Sequence, residues 1–195
     1  MFELHKGFNI GYIDLEAVTT KRIERPSVRI SLLAVFSVLL FLSAILSKIT
    51  VTYGAIVFNF VLLTGVLVLK LPYSGTILTL ITSILYSFVS PLGPLMLGTF
   101  LLKGVTLDIF FVVFKVYRDA YNKKYNIPVI VTAIVLSGIF AGLYQYFFIV
   151  VFLHRLVDFG AFIVSTIFLA SIISNIIVGY IVPKYVMPRI DKSLV

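Results

Sequence analysis

The stretch Ile30-Ser31-Leu32-Leu33-Ala34-Val35-Phe36-Ser37-Val38-Leu39-Leu40-Phe41-Leu42-Ser43-Ala44 contains no ionisable side chain, no proline and no glycine. A membrane strand would alternate apolar and polar positions over about ten residues, whereas this run is apolar almost without interruption, so it reads as a helix immersed in lipid. A hydrocarbon core about 30 Å thick takes about 20 helical residues. The sequence divides into runs of about that length: Ile30–Ser47, Tyr53–Leu69, Pro72–Val89, Leu95–Phe114, Pro128–Leu153 and Phe159–Val182. Between them, Lys70-Leu71-Pro72-Tyr73-Ser74-Gly75, Ser90-Pro91-Leu92-Gly93-Pro94 and the polar stretch Lys115–Asn126 carry turn and boundary chemistry. Connections this short leave consecutive helices antiparallel and adjacent. The expected fold is an all-α membrane protein, a six-transmembrane-helix bundle. Residues 1–29 form a cytoplasmic N-terminal segment, 30–183 the transmembrane domain and 184–195 a cytoplasmic tail.

Composition points the same way. The 195 residues are 61% hydrophobic and 12% charged, with a mean hydropathy of +1.13, where a soluble domain is about half apolar and a quarter charged. The chain has no cysteine, which excludes disulfides, thiolate nucleophiles, Cys-ligated zinc and iron–sulfur centres. A net charge of +8 suggests nucleic acid at first sight. A nucleic-acid binder, however, gathers its basic residues on a polar face, and here they punctuate apolar runs, so the partner is the lipid bilayer. With the N-terminus cytoplasmic, Lys6, Lys21, Arg22, Arg25, Arg29, Lys70, Lys115, Arg118, Lys123, Lys124, Lys184, Arg189 and Lys192 fall inside. Only Lys48 and Arg155 fall outside, and Lys103 lies within a span. That asymmetry predicts an N-in/C-in, multi-pass protein of the cell membrane. Glu3, Asp14, Glu16 and Glu24 interrupt residues 1–29, so that segment reads as lying on the inner surface rather than as a signal peptide.

Ionisable groups within spans cost about 2.5–3.5 kcal/mol each on insertion scales, so they need a partner or a purpose. The fourth run holds Lys103 and Asp108. Five residues apart, they lie about 140° round the helix and about 7.5 Å along it, so each needs its own partner on another helix. Lys103 falls in the outer half to middle of the bilayer, where it suits an anionic ligand group; Asp108 falls nearer the cytoplasmic side. The plainer reading makes both structural contacts, with Lys103 snorkelling to the interface. In the fifth run Gly138 and Gly142 form a close-approach face whose first role is packing. Gln145 sits between Tyr144 and Tyr146, an amide beside flat rings, which suits a planar heteroaromatic ligand or, alternatively, an aromatic belt with an interhelical amide contact. Ser171, Ser174 and Asn175 lie near one face of the sixth run, as interhelical hydrogen bonders or as site residues. Asn59, Thr79, Thr82, Ser83 and Tyr86 are further inward-facing candidates, and His154, Arg155 and Asp158 form an outer loop or a lid. His5 and His154 are too far apart for a metal cage, and neither a nucleophile elbow nor a Walker A sequence occurs. No catalytic residue and no cofactor is expected, and ATP-driven work would need another subunit.

The layout resembles the substrate-binding S component of energy-coupling factor (ECF) transporters. The resemblance covers roughly residues 25–190 and rests on Arg29-Ile30-Ser31-Leu32-Leu33-Ala34, on Lys70-Leu71-Pro72-Tyr73-Ser74-Gly75, and on Ser90-Pro91-Leu92-Gly93-Pro94 followed by Leu102-Lys103-Gly104. The segments from Leu71 to Phe114 and Tyr144-Gln145-Tyr146-Phe147-Phe148 look most like the thiamine/hydroxymethylpyrimidine-permease branch. The resemblance implies a subunit that captures a vitamin or vitamin precursor on the outer side and then docks on an ECF transmembrane scaffold subunit driven by two ATPase subunits. Lys103, Tyr144, Gln145, Tyr146, Asn175 and, less favoured, Asp108 are the expected ligand contacts. Family docking uses an Ala-x-x-x-Ala pattern in the first span; here Ala34 is followed by Val38, and the small residues are Ser31, Ala34 and Ser37. A small membrane enzyme acting on lipid-like substrates through Asp108 and a structural or assembly membrane protein are the competing readings.

Overall fold

The computed structural model describes residues 26–90, 93–151, 153–154 and 158–193. Most of the expected N-terminal segment, and Arg155, lie outside the described residues. The helices are α1 (Pro26–Ile49), α2 (Val51–Leu69), α3 (Ser74–Ser87), α4 (Gly93–Val113), α5 (Val116–Tyr121), α6 (Ile127–Val151), α7 (Phe159–Ile163), α8 (Thr166–Ile181) and α9 (Met187–Ser193). A π-helical turn, Val182–Val186, joins α8 to α9, and no strand occurs among the described residues.

Six helices close a ring: α1 packs on α2 and α3, α3 on α4, α4 on α6, α6 on α8, and α8 returns to α2. The second half of α2 forms the centre, with Leu62, Leu63, Val66, Leu67 and Leu69 fully buried. The ring's outer faces are apolar too; Ile30, Val35, Val38, Leu42, Ile109 and Ile173 are exposed. An apolar exterior on this scale is stable only against lipid. Four helical stretches are long and apolar enough to cross a membrane: Pro26–Ser47, Leu95–Val113, Ile127–Val151 and Phe159–Lys192.

The second expected run, Tyr53–Leu69, is helical throughout, within α2, whereas the third, Pro72–Val89, is helical only over Ser74–Ser87. The cause is local. Lys70 ends α2 in the left-handed region (φ 53) and donates its N–H to the Val66 carbonyl, and Tyr73 is left-handed as well (φ 67). Helix α3 therefore has 14 residues, about 21 Å at 1.5 Å per residue.

Tyr73 supplies no side-chain cap to α3; Asp108 of α4 does so from across the interface. Its carboxylate accepts the N–H of Gly75 at 3.1 Å, and the N–H and hydroxyl of Thr76, both at 2.6 Å. The Tyr117 hydroxyl also donates to it. Burial, with Asp108 alongside, pushes the Tyr117 hydroxyl up, so it stays the proton donor. Close approach makes this contact possible: a Cβ on Gly75 would sit 2.7 Å from the Asp108 carboxylate, and one on Gly104 would sit 2.6 Å from the Gly75 carbonyl oxygen.

The sixth run is split rather than continuous. Asp158 caps α7 by accepting the Ala161 N–H at 2.8 Å, and Ser165 caps α8 by accepting the Phe168 N–H at 3.3 Å. At its other end the helix passes the expected boundary at 183 and continues to Ser193. Asp191 fastens this last segment: Lys70 pairs with it at 3.3 Å and the Tyr125 hydroxyl donates to it at 2.6 Å. Burial and the Asp191 carboxylate push the Tyr125 hydroxyl well up from its ordinary value.

Candidate ligand cavity

The α4 sequence repeats at helical spacing, Met96, Thr99, Phe100 and Lys103, and that face turns inward. Facing it, α6 presents Gly138, Ala141, Gly142 and Gln145 at the same spacing. Between these two stripes lies a cavity of ≈ 570 Å³, within the size range of small-molecule sites. Ser47 at the end of α1, Ala55 near the start of α2, Tyr86 at the end of α3 and Ala161 of α7 also reach it. The cavity therefore opens at the end of the ring where α1 meets α2, α3 meets α4 and α6 meets α7.

Lys103 is the charged group of this wall, and it is 8% exposed. It donates to the Asn59 amide oxygen, and Asn59 in turn donates to the Ser174 hydroxyl at 3.3 Å. The ammonium lies 5.7 Å from the centroid of the Phe58 ring. Phe58 stacks on Phe100 with centroids 4.9 Å apart, and Tyr86 meets Phe100 edge-on at 5.5 Å. The ion pairs among the described residues are Lys70–Asp191 and Arg118–Asp119, so no described carboxylate neutralises Lys103. An ammonium has three N–H donors and an amide oxygen offsets only part of its charge, so the wall presents a cation beside a flat aromatic surface.

The expected site residues fall into separate groups. Lys103 and Gln145 line the cavity. Tyr144 packs on the α4 backbone at Gly98, where a Cβ would collide with its ring. Tyr146 holds α7 to α6 through Phe159 and Phe162, each with a centroid 5.1 Å away; Phe162 is itself a wall residue. Asn175 is fully buried behind Gly138, where a Cβ would collide with its amide nitrogen, and neither amide atom has a hydrogen-bond partner. Gly142 receives Phe168 in the same way, so the small face of α6 serves both α8 and the cavity. Asp108 caps α3 and is not among the lining residues. Thr79, Thr82 and Ser83 donate their hydroxyls to carbonyls of their own helix. On α1, Ser31 and Ala34 are exposed, whereas Ser37 is buried, out of reach of a partner on the outer face.

The aromatic platform of Phe58 and Phe100 is what sequence reasoning passed over; its signal was the spacing from Lys103 back through Phe100, Thr99 and Met96. Among the described residues no group of three or more His, Asp or Glu could hold a metal ion. No family model, no curated protein and no solved structure matches the chain.

Proposed function

We propose that the chain is the membrane-embedded substrate-binding subunit of an ECF-type importer of the cell membrane, with six spans, N-in/C-in. The observation that carries this reading is the cavity at one end of a closed helical ring, lined by aromatic rings and a few polar groups. The opposite end bears Arg29, Lys70, Arg118, Lys124, Arg189 and Lys192, and the positive-inside rule then turns the cavity outward. Helix α2, with 19 residues, is long enough to cross; the shorter α3 has its first N–H groups satisfied by Asp108 of α4, as backbone at membrane depth requires.

In this reading a water-soluble heteroaromatic compound, a vitamin or its precursor, enters from outside and lies between α4 and α6. Energy comes from a transmembrane scaffold subunit and two ATPase subunits, docked on the outer face of α1 around Ser31 and Ala34. The test is co-expression of the tagged chain with an ECF scaffold and its ATPases, followed by pull-down and uptake in proteoliposomes. The expected result is a stable complex and ATP-dependent uptake of a co-purifying small molecule identified by mass spectrometry. A monodisperse chain that neither captures the scaffold nor retains a small molecule would overturn it.

A further inference from the structure

We infer that the cavity takes an organic anion, its carboxylate or phosphate pairing with Lys103 and its flat apolar body lying against Phe58, Phe100 and Tyr86. This rests on the reading of the cavity as a ligand site and narrows its chemistry.

The first support is the charge on Lys103. A buried ammonium is tolerated when it is paired, and breaking such a pair is expensive because the remaining charge stays in a medium of low dielectric. Lys103 is 8% exposed and lines the cavity, yet the ion pairs among the described residues do not include it. Its hydrogen-bond partner is the neutral Asn59 amide, held from behind by Ser174. Asn59 fixes the ammonium at the wall, and the charge remains to be neutralised from the cavity side. A ligand acid group supplies that countercharge.

The second support is the rest of the wall. Thr99 has its hydroxyl committed to the Leu95 carbonyl at 2.8 Å, so the polar groups left to read a ligand are chiefly Lys103, Gln145 and Ser171. Phe58 and Phe100 offer stacked faces beside the ammonium, which match a planar ring carrying its acid group at one edge. A fixed cation such as a thiazolium would face Lys103 at close range, and like charges in this setting repel. The thiamine-like ligand suggested by resemblance is thus disfavoured against a heteroaromatic acid or phosphate ester.

The test uses the full chain in detergent, reading the ligand concentration that gives half-maximal thermal stabilisation. The probes are pyridine- and quinoline-carboxylates, their carboxamides, the N-methyl quaternary amides, and oleate as the acid a membrane would supply. The acids are expected to act at least tenfold below their amides, about 1.4 kcal/mol, and the quaternary amides not at all. Lys103→Met is expected to erase the acid–amide difference and Lys103→Arg to keep it. If Lys103→Met does not fold, the acid–amide difference in the parent chain decides. Amides or quaternary salts that match the acids, with an effect abolished by Ala161→Trp at the cavity mouth, would sink the anion and leave the binding subunit standing. Oleate acting below every ring acid would keep the anion, assign it to lipid and overturn the flat body. No stabilisation by any probe overturns the anion, and the binding subunit then stands or falls on scaffold capture and the co-purifying molecule.

Discussion

Replacing Asp108 by alanine removes one carboxylate and strands four donors: the N–H groups of Gly75 and Thr76 and the hydroxyls of Thr76 and Tyr117. Hydrogen bonds to a charged group contribute about 1.5–3 kcal/mol each. The full sum is not realised, because the variant also escapes the several kcal/mol of desolvation that a buried carboxylate costs. Leaving four buried or half-buried neutral donors without an acceptor, at about 1–3 kcal/mol each, less the desolvation recovered, gives a net cost of about 3–5 kcal/mol. At about 2–4 °C per kcal/mol for a chain of this length, the unfolding midpoint falls by about 6–20 °C. Asp108→Asn keeps one acceptor oxygen but turns an NH2 group toward donors, so it falls between alanine and the parent. The assay is loss of helical circular dichroism on heating in one detergent, with binding of the ring acids measured well below the midpoint. Stability is expected to drop while affinity holds within about threefold, since Asp108 lies away from the cavity. An alanine variant that melts with the parent, or one that keeps its midpoint and loses the ligand, would refute the capping argument and return Asp108 to the binding site.

Two further outcomes follow from buried polar groups. Neither amide atom of Asn175 has a partner, so Asn175→Leu is expected to raise the midpoint, relieving about 1–3 kcal/mol of uncompensated desolvation, and to leave ligand affinity unchanged; a fall in either measurement means the amide is used. Tyr125 has its hydroxyl pushed up by burial and by Asp191, whereas an unfolded tyrosine ionises near pH 10. Its stabilisation is therefore complete below about pH 10 and lost as pH rises through the higher folded value. Tyr125→Phe should be about 1.5–3 kcal/mol less stable at neutral pH, with a shallower decline above pH 10 than the parent; parallel curves in pH-dependent melts would count against it.

The helices were legible in the sequence because lipid imposes a simple demand: every backbone group must bond within its own segment, so long apolar runs are helical. Half of the cavity was legible for a related reason. Lys103 and Gln145 are expensive residues in apolar surroundings, and expense marks purpose. The cap on α3 was not, because Asp108 reaches Gly75 across a separation of more than thirty residues and nothing local announces the pairing. The ring of Tyr144 beside Gln145 and the amide of Asn175 suggest site residues, but neither a flat ring nor an amide distinguishes a cavity wall from an interhelical wedge. The length of α3 depended on which residues of its apolar run became turn, and the left-handed Tyr73 is not a signal that a tyrosine sends. The split between α7 and α8 did have a local sign, the Ser165 cap, hidden inside a run whose hydropathy scarcely changes.

The wide turn at Val182–Val186 sets the phase of everything after it. Pro183 and Pro188 each lack an amide hydrogen, and the ring of a proline crowds the carbonyl four residues before it; widening the coil lets the helix continue past both. Asp191 then points where Lys70 and Tyr125 wait. Because a wide turn closes i→i+5 where an α-helix closes i→i+4, it absorbs one extra residue; rewinding the same residues tightly, with none removed, would advance the terminal helix by about one residue, about 100°. The carboxylate would swing out of register with both partners, so the width of this turn matters more than the identity of its side chains.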